Sequence, residues 1–205
     1  MLLDLLAPPL CWSCAAPAAR GAGLCGTCRR SLRFLPGAPA LLCGLAVWAP
    51  VAYDGPAREL VKALKFHSAT RIADEMAAAV VANAPLRWLT ATLVPVPLHP
   101  ARRRTRPFNQ AELLARALSA RAAPLPVHDC LTRTGAHQPQ VGRGRAARLH
   151  GPAGAIRARG PAPRHALLVD DVVTTGATLA ACAAALRAAG ARHVAAVAFA
   201  RTAGR

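Results

Sequence analysis

Acidic residues are scarce in this chain: nine Asp and Glu stand against 26 Lys and Arg, and the formal net charge is +17. Lysine is scarce as well, because Lys62 and Lys65 are the only two, so arginine carries almost all of the positive charge. This balance favours polyanionic partners such as nucleic acid, phosphates or an anionic membrane surface. The abundance of Ala, Arg, Pro and Gly would also follow from a GC-rich coding bias, and this alternative stays open.

Long uninterrupted apolar runs are missing too. The charge-free stretch from Phe34 to Tyr53 is broken by three prolines and two glycines, which excludes a membrane span and predicts a linker followed by a buried strand. The first residues include Asp4 and no basic segment, so we predict no signal peptide. We therefore expect a cytoplasmic protein whose thiols stay reduced.

Aromatic residues make up only 4% of the chain, whereas 54% of it is hydrophobic. The hydrophobic share is enough for a folded core, so the class of disordered proteins is excluded. The aromatic residues that could stack on nucleobases, each of which could equally be core, are Trp12, Trp48, Phe66, Trp88 and Phe108.

Four of the seven cysteines form two C-x2-C pairs near the N-terminus, namely Cys11, Cys14, Cys25 and Cys28. Two such pairs can direct four thiolates at one ion, and this predicts a closed, structural Zn²⁺ site. A redox pair and a degenerate site without metal are the alternatives. The other three, Cys43, Cys130 and Cys182, lack this spacing and are predicted to be small buried residues.

The rest of the chain alternates between strand-like and helix-like segments. Predicted strands are 45–53, 92–97, 166–169 and 193–200. Predicted helices are 57–84, 109–122 and 178–189, and the first of them has a predicted break near 67–68. Gly190 is a natural end for the last helix. This order predicts an α/β domain over 45–205, with a mostly parallel sheet flanked by helices, after a zinc-binding segment and linker over 1–44.

Two adjacent carboxylates, Asp170 and Asp171, follow an apolar strand and precede a turn of hydroxyl and small residues. Side by side they repel each other, and the vicinal hydroxyls of a ribose, with or without Mg²⁺, would give both of them partners. The turn Thr174–Thr178 lies at a helix N-terminus, where free N–H groups and the helix dipole favour a phosphate. The alternative is an Asp pair that caps the next helix, with ordinary turn threonines.

Competing phosphate-binding motifs are excluded. The chain contains no G-x4-G-K-[ST], and the G-x-G-x-x-A pattern at 142–147 follows no predicted strand.

The segment LLVDDVVTTGAT over 167–178 closely resembles the phosphoribosyl pyrophosphate (PRPP) binding motif of type I phosphoribosyltransferases. The whole chain resembles the ComF family of competence-related, phosphoribosyltransferase-like proteins. The paired cysteines, ALKF at 63–66, VPVPLHPARRRTRPFNQA at 94–111 and LTRTGAHQPQVGRGRAARL at 131–149 follow that family's order.

The resemblance implies a type I phosphoribosyltransferase-like fold and a role for each motif. Asp170 and Asp171 would contact the ribose hydroxyls of Mg²⁺-bound PRPP, with Asp171 a weak candidate for acid–base catalysis. The 5-phosphate would lie against Thr174, Thr175, Gly176, Ala177 and Thr178. The turn that would hold the pyrophosphate contains Val96, Pro97, Leu98 and His99, and the nearby cations are Arg102, Arg103, Arg104 and Arg106. The flexible loop that closes over the reacting centre would contain Gln138, Gln140 and Arg148.

Two departures from the family pattern affect the loops. Pro107 stands where the family usually has Gly, and the segment from Gly151 to Ile156 lacks the usual Asn-x-x-x-Ala-Phe. Lys65 is either a phosphate contact or a surface lysine, and His99 is either functional or structural.

Two function classes remain. One is a PRPP-dependent transferase whose acceptor the sequence does not identify. The other is a non-catalytic, single-stranded-DNA-binding competence factor with a vestigial or regulatory PRPP site. The ComF resemblance implies DNA uptake and natural competence, with single-stranded DNA and competence proteins as partners.

Overall fold

A computed structural model describes residues 9–35, 37–67, 70–85, 88, 90–103, 106, 108–122, 124–134 and 156–202. Its helices are α1 (Gly26–Arg30), α2 (Gly55–His67), α3 (Thr70–Asn83), α4 (Pro100–Arg103), α5 (Gln110–Arg121) and α6 (Ala177–Ala188). Its strands are β1 (Ala40–Leu42), β2 (Leu45–Trp48), β3 (Val51–Ala52), β4 (Thr92–Pro95), β5 (Leu131–Arg133), β6 (Ile156–Ala158), β7 (His165–Val173) and β8 (His193–Arg201).

The main sheet has the strand order β1-β2-β8-β7-β4, and β3 also pairs with β8. Among the described strands of this sheet, β1 alone runs antiparallel to its neighbour, and the other pairings are parallel. A separate antiparallel pair joins β5 to β6.

Helices cover both faces of this sheet. Successive side chains of a strand point to opposite faces, so alternate residues of β7 belong to two different cores. Leu167 and Val169 of β7 belong to the core formed with α2, α3 and α5. Ala166 and Leu168 belong to a second core, formed with α6 and the β5–β6 pair. The predicted α/β class, a mostly parallel sheet flanked by helices with a small four-cysteine module, is confirmed.

The cysteine module packs on the first of these cores through Leu24 and Leu32. Glu75 of α3 holds it in place, since its carboxylate accepts hydrogen bonds from Arg29 Nε at 2.7 Å and from the backbone N–H of Gly23 at 3.3 Å. The module is therefore braced against the α/β body.

Several predicted boundaries differ from the structure. The strand predicted for 45–53 is divided into β2 and β3, the strand predicted for 92–97 ends at Pro95, and β1, β5 and β6 were not predicted. The end of α6 before Gly190, whose φ is +101°, is confirmed. The helices on either side of the predicted break near 67–68 end at His67 and begin at Thr70, and residues 68–69 lie outside the described residues. No described helix has the length and apolar character needed to cross a membrane.

Candidate functional site

The four predicted metal ligands come together at the N-terminal module. The Sγ atoms of Cys11, Cys14, Cys25 and Cys28 all lie within 4.8 Å of one another, and those of Cys14 and Cys25 are 3.7 Å apart. In a tetrahedral site with Zn–S bonds of about 2.3 Å, two sulfurs are roughly 3.8 Å apart. The arrangement therefore fits one Zn²⁺ ion held by four thiolates.

The same thiols differ strongly in acidity. Burial opposes ionisation of Cys11, but hydrogen bonds from the backbone of Cys25, Cys14 and Ser13 outweigh it and lower the pKa of Cys11 to about 6. Burial raises the pKa of Cys28 to about 12. Because metal binding requires deprotonated thiols, a bound cation would bring all four to the thiolate form.

The Asp pair lies inside a strand rather than after one. The predicted strand 166–169 was too short: β7 continues to Val173, so Asp170 and Asp171 point to opposite sides of the sheet near its C-terminal end. Asp171 is buried, and its N–H donates to Asp170 Oδ1 at 2.8 Å. Burial raises the pKa of Asp170 well above its ordinary value, and the neighbouring charge of Asp171 raises it further.

Lys65 lies against this carboxylate pair. Its Nζ is 2.8 Å from Asp171 Oδ2, and both side chains are mostly buried. Lys65 of α2 therefore has a carboxylate partner within the predicted site. The interpretation of Lys65 as a surface lysine is wrong.

The turn after β7 begins α6 at Gly176, the N-cap residue, which has a φ of +81° and no side chain to cap the helix. The hydroxyl of Thr175 accepts a hydrogen bond from the N–H of Ala177 at 3.4 Å, and neither aspartate caps the helix. The alternative in which the Asp pair caps this helix is therefore wrong. Because the first N–H groups of a helix have no intrahelical acceptor, this end can bind an anion.

The hairpin of β1 and β2, which the sequence did not predict, packs against this turn. A Cβ on Gly176 would lie 2.8 Å from Leu42 Cβ, so only glycine fits there without movement. Cys43 Sγ also lies 3.4 Å from the carbonyl oxygen of Thr175. Cys43 is exposed, so its predicted burial is wrong, whereas Cys130 and Cys182 are buried as predicted. The signal was the Cys43–Gly44 dipeptide, since glycine after a turn residue marks hairpins.

The predicted pyrophosphate turn lies beside the Asp pair. Val96 N–H donates to Val169 O at 3.0 Å, and Val96 O accepts from Asn109 Nδ2 at 3.0 Å. Val96, Pro97 and Leu98 are buried. His99 Nδ1 accepts from Ala101 N–H at 3.2 Å at the start of α4, which is a structural contact. The turn is thus held to β7 one residue before Asp170.

The neighbouring cations are only partly described. The guanidinium of Arg106 lies 5.5 Å from the ring centroid of Phe66, whose side chain is exposed. Burial and the charge of Arg102 lower the pKa of Arg106, and the charge of Asp171 opposes this. Arg103 contributes backbone to α4, and Arg104 and Pro107 lie outside the described residues. The predicted flexible-loop residues Gln138, Gln140 and Arg148, and Gly151, also lie outside them.

Comparisons with known proteins match both parts of the chain. Residues 2–59 match the family of double zinc ribbon domains, which together with the sulfur geometry supports the predicted structural zinc. The DNA utilization protein YhgH of Escherichia coli K12 is 32% identical over 203 residues, covering 86% of this chain and 89% of that protein. The protein of the same name from Salmonella typhimurium is 31% identical over the same shares.

A solved allosteric regulatory enzyme of purine biosynthesis is 15% identical, with a TM-score of 0.38. It covers 67% of this chain, and this chain covers 30% of that protein.

Proposed function

Since the chain belongs to the family of the DNA utilization protein YhgH, we propose that it is a ComF-like, PRPP-binding protein of DNA uptake and natural competence that acts in the cytoplasm. PRPP would bind with Mg²⁺ at the C-terminal edge of the sheet. The observation that carries the proposal is the buried Asp171, with Asp170 beside it, five residues before Gly176, the glycine N-cap of α6.

Each part of PRPP has a matching group at this edge. The carboxylates of Asp170 and Asp171 would accept hydrogen bonds from the ribose diol. The first N–H groups of α6, together with the hydroxyls of Thr174, Thr175 and Thr178, would donate to the 5-phosphate. Pyrophosphate would lie against the turn of Val96 to His99, where Arg106 contributes positive charge. Mg²⁺ would coordinate the oxygens of the bound phosphates.

The chemistry favoured by these groups is positioning and charge neutralisation. Transfer would break the bond between C1 of the ribose and pyrophosphate and form one from C1 to a nucleophile. Asp171 is already paired with Lys65 at 2.8 Å, which favours an electrostatic role for this carboxylate over proton transfer.

Thermal unfolding with Mg²⁺ and PRPP, ribose 5-phosphate or pyrophosphate tests the proposal. A ligand at 100 times its Kd stabilises the folded state by about 2.7 kcal/mol. PRPP should raise Tm most, because it fills every part of the site. A folded protein whose Tm responds to none of the three would overturn the proposal.

A second candidate function, single-stranded DNA binding, is favoured by the net charge of +17 and by the relatives' described role. Neutralised phosphates release counterions, so binding should weaken steeply as salt rises. A labelled oligothymidylate titrated at several salt concentrations measures this, and affinity independent of salt would contradict it.

A further inference from the structure

The opposite edge of the sheet contains a cavity of about 570 Å³ that the PRPP proposal does not use. Its wall includes Trp88, Thr90, His165, Arg187, Arg192 and His193. His165 begins β7 and Asp170 is five residues further along it. At about 3.3 Å per residue, the cavity is roughly 17 Å from the Asp pair, so the two sites are distinct.

Arginine and histidine side chains line part of the cavity. His165, Arg187, Arg192 and His193 are all exposed at this edge, and none of the described residues that line the cavity is a carboxylate. Within the described part of the chain, no salt bridge joins any of these arginines to an acidic residue. Arg187 lies in the last turn of α6, where a cation also offsets the helix dipole. That structural role accounts for Arg187, whereas Arg192, which lies outside the helix, favours an anionic ligand at the cavity.

Hydrogen bonds hold the backbone of Arg192 and His193 in place. The N–H groups of Arg192 and His193 both donate to Arg164 O, at 2.9 and 3.0 Å. His165 and His193 face each other across β7 and β8, and their rings stack with centroids 4.8 Å apart. Imidazoles that are already stacked lose less conformational entropy when they bind a ligand.

Trp88 adds an aromatic wall to this basic rim. Its side chain is half-buried and packs against the first core, and its backbone N–H donates to the carbonyl oxygen of Pro85 at 2.9 Å. Base–aromatic stacking is the main contact of proteins that bind single strands. The volume lies within the range of small-molecule sites, roughly 300 to 1,000 Å³, and so accommodates one nucleotide.

We propose that this cavity binds a nucleotide, with the base against Trp88 and the phosphate at Arg187 and Arg192. The nucleotide is either a unit of single-stranded nucleic acid or a free mononucleotide. The inference rests on the nucleic-acid part of the proposed function for the source of the ligand, and it does not depend on PRPP binding.

Two probes, a labelled oligothymidylate and thymidine monophosphate, test the site on matched variants. Trp88→Leu should weaken oligothymidylate binding roughly 5- to 100-fold, whereas Trp88→Phe keeps a stacking ring and most of the affinity. Arg187→Gln/Arg192→Gln should reduce the slope of log affinity against log salt by about 1.4, since each lost phosphate contact removes roughly 0.7. Arg30→Gln/Arg116→Gln removes the same charge from exposed positions elsewhere and should retain the wild-type slope.

The two probes distinguish the sources. If both probes bind, one nucleotide is sufficient as the ligand. If the oligothymidylate alone binds, the ligand is a strand. Either result supports the site when the cavity variants lose the binding. Cavity variants that bind like the Arg30/Arg116 control would overturn the inference and leave DNA binding elsewhere on the protein. A wild type that binds neither probe would overturn the inference and the nucleic-acid function together. Mg²⁺–PRPP binding should be unchanged in every variant.

Discussion

Lys65 Nζ lies 2.8 Å from Asp171 Oδ2, which joins α2 to the carboxylate pair of β7. The side chain of Lys65 is 21% exposed and that of Asp171 is 5% exposed. In a chain with only two lysines, one of them thus neutralises part of the negative charge at the predicted ribose site.

The first prediction compares these two lysines. Lys65→Met should destabilise the fold by about 3 kcal/mol, because it leaves the Asp171 charge buried without its partner. Lys62→Met, which removes an exposed pair with Glu59, should cost less than about 1 kcal/mol. Urea unfolding measures both free energies. Equal losses in the two variants would show that Asp171 does not need Lys65.

The second prediction concerns pH. Burial and the charge of Asp171 raise the pKa of Asp170 above 3.8, so the folded state holds this proton more tightly than the unfolded chain. The resulting stability is fully present below the unfolded pKa and is lost as pH rises through the folded value. Asp170→Asn should reduce this decline and be at least as stable as wild type at neutral pH. Urea unfolding from about pH 4 to about pH 8 checks this. If the free energy of unfolding of Asp170→Asn falls with rising pH as steeply as that of wild type, the prediction is contradicted.

The third prediction concerns Gly176. Gly176→Ala adds a strained φ and a contact of 2.8 Å with Leu42 Cβ, so it should cost about 3 kcal/mol and weaken binding of the 5-phosphate. Gly190→Ala is the control, because it has a φ of +101° with nothing within 4 Å and should cost only about 1 to 2 kcal/mol. Thermal unfolding of the two variants isolates the steric part. If both lose the same stability, Leu42 does not restrict the turn.

The fourth prediction concerns the metal. Cys28→Ser should lose most of the bound zinc and loosen the module from α3, because a closed site needs all four thiolates. Cys43→Ser, at an exposed position outside the cluster, should keep its zinc. Elemental analysis of the purified proteins measures zinc per chain. Full zinc content in Cys28→Ser would rule out this ligand set.

The sequence predicts the features that depend on local spacing. The clustering of the C-x2-C pairs and the end of α6 at Gly190 both follow from patterns within a few residues, and the structure confirms them. The partner of Lys65 could not be predicted, because 106 positions separate it from Asp171 and only the packing of α2 on the sheet brings them together.

Short and weakly patterned elements were also missed. The strands β1, β5 and β6 have three residues each, which is too few for a periodic signal. The length of β7 was underestimated because two charged residues usually mark the end of a buried strand, whereas here Asp171 is buried against Lys65. The described residues that line the cavity come from four separate segments, near 88–91, 165–167, 187 and 192–195, so no single motif predicts it.

Calorimetric titration with Mg²⁺–PRPP tests the central claim most directly. Wild type should bind, and Asp170→Asn/Asp171→Asn should lose that binding while staying folded. Asp54→Asn/Asp129→Asn removes two carboxylates from exposed ion pairs and should bind like wild type. A wild type that gives no binding heat at any temperature tested, or an Asp170/Asp171 variant that binds as tightly as the control, would contradict the account.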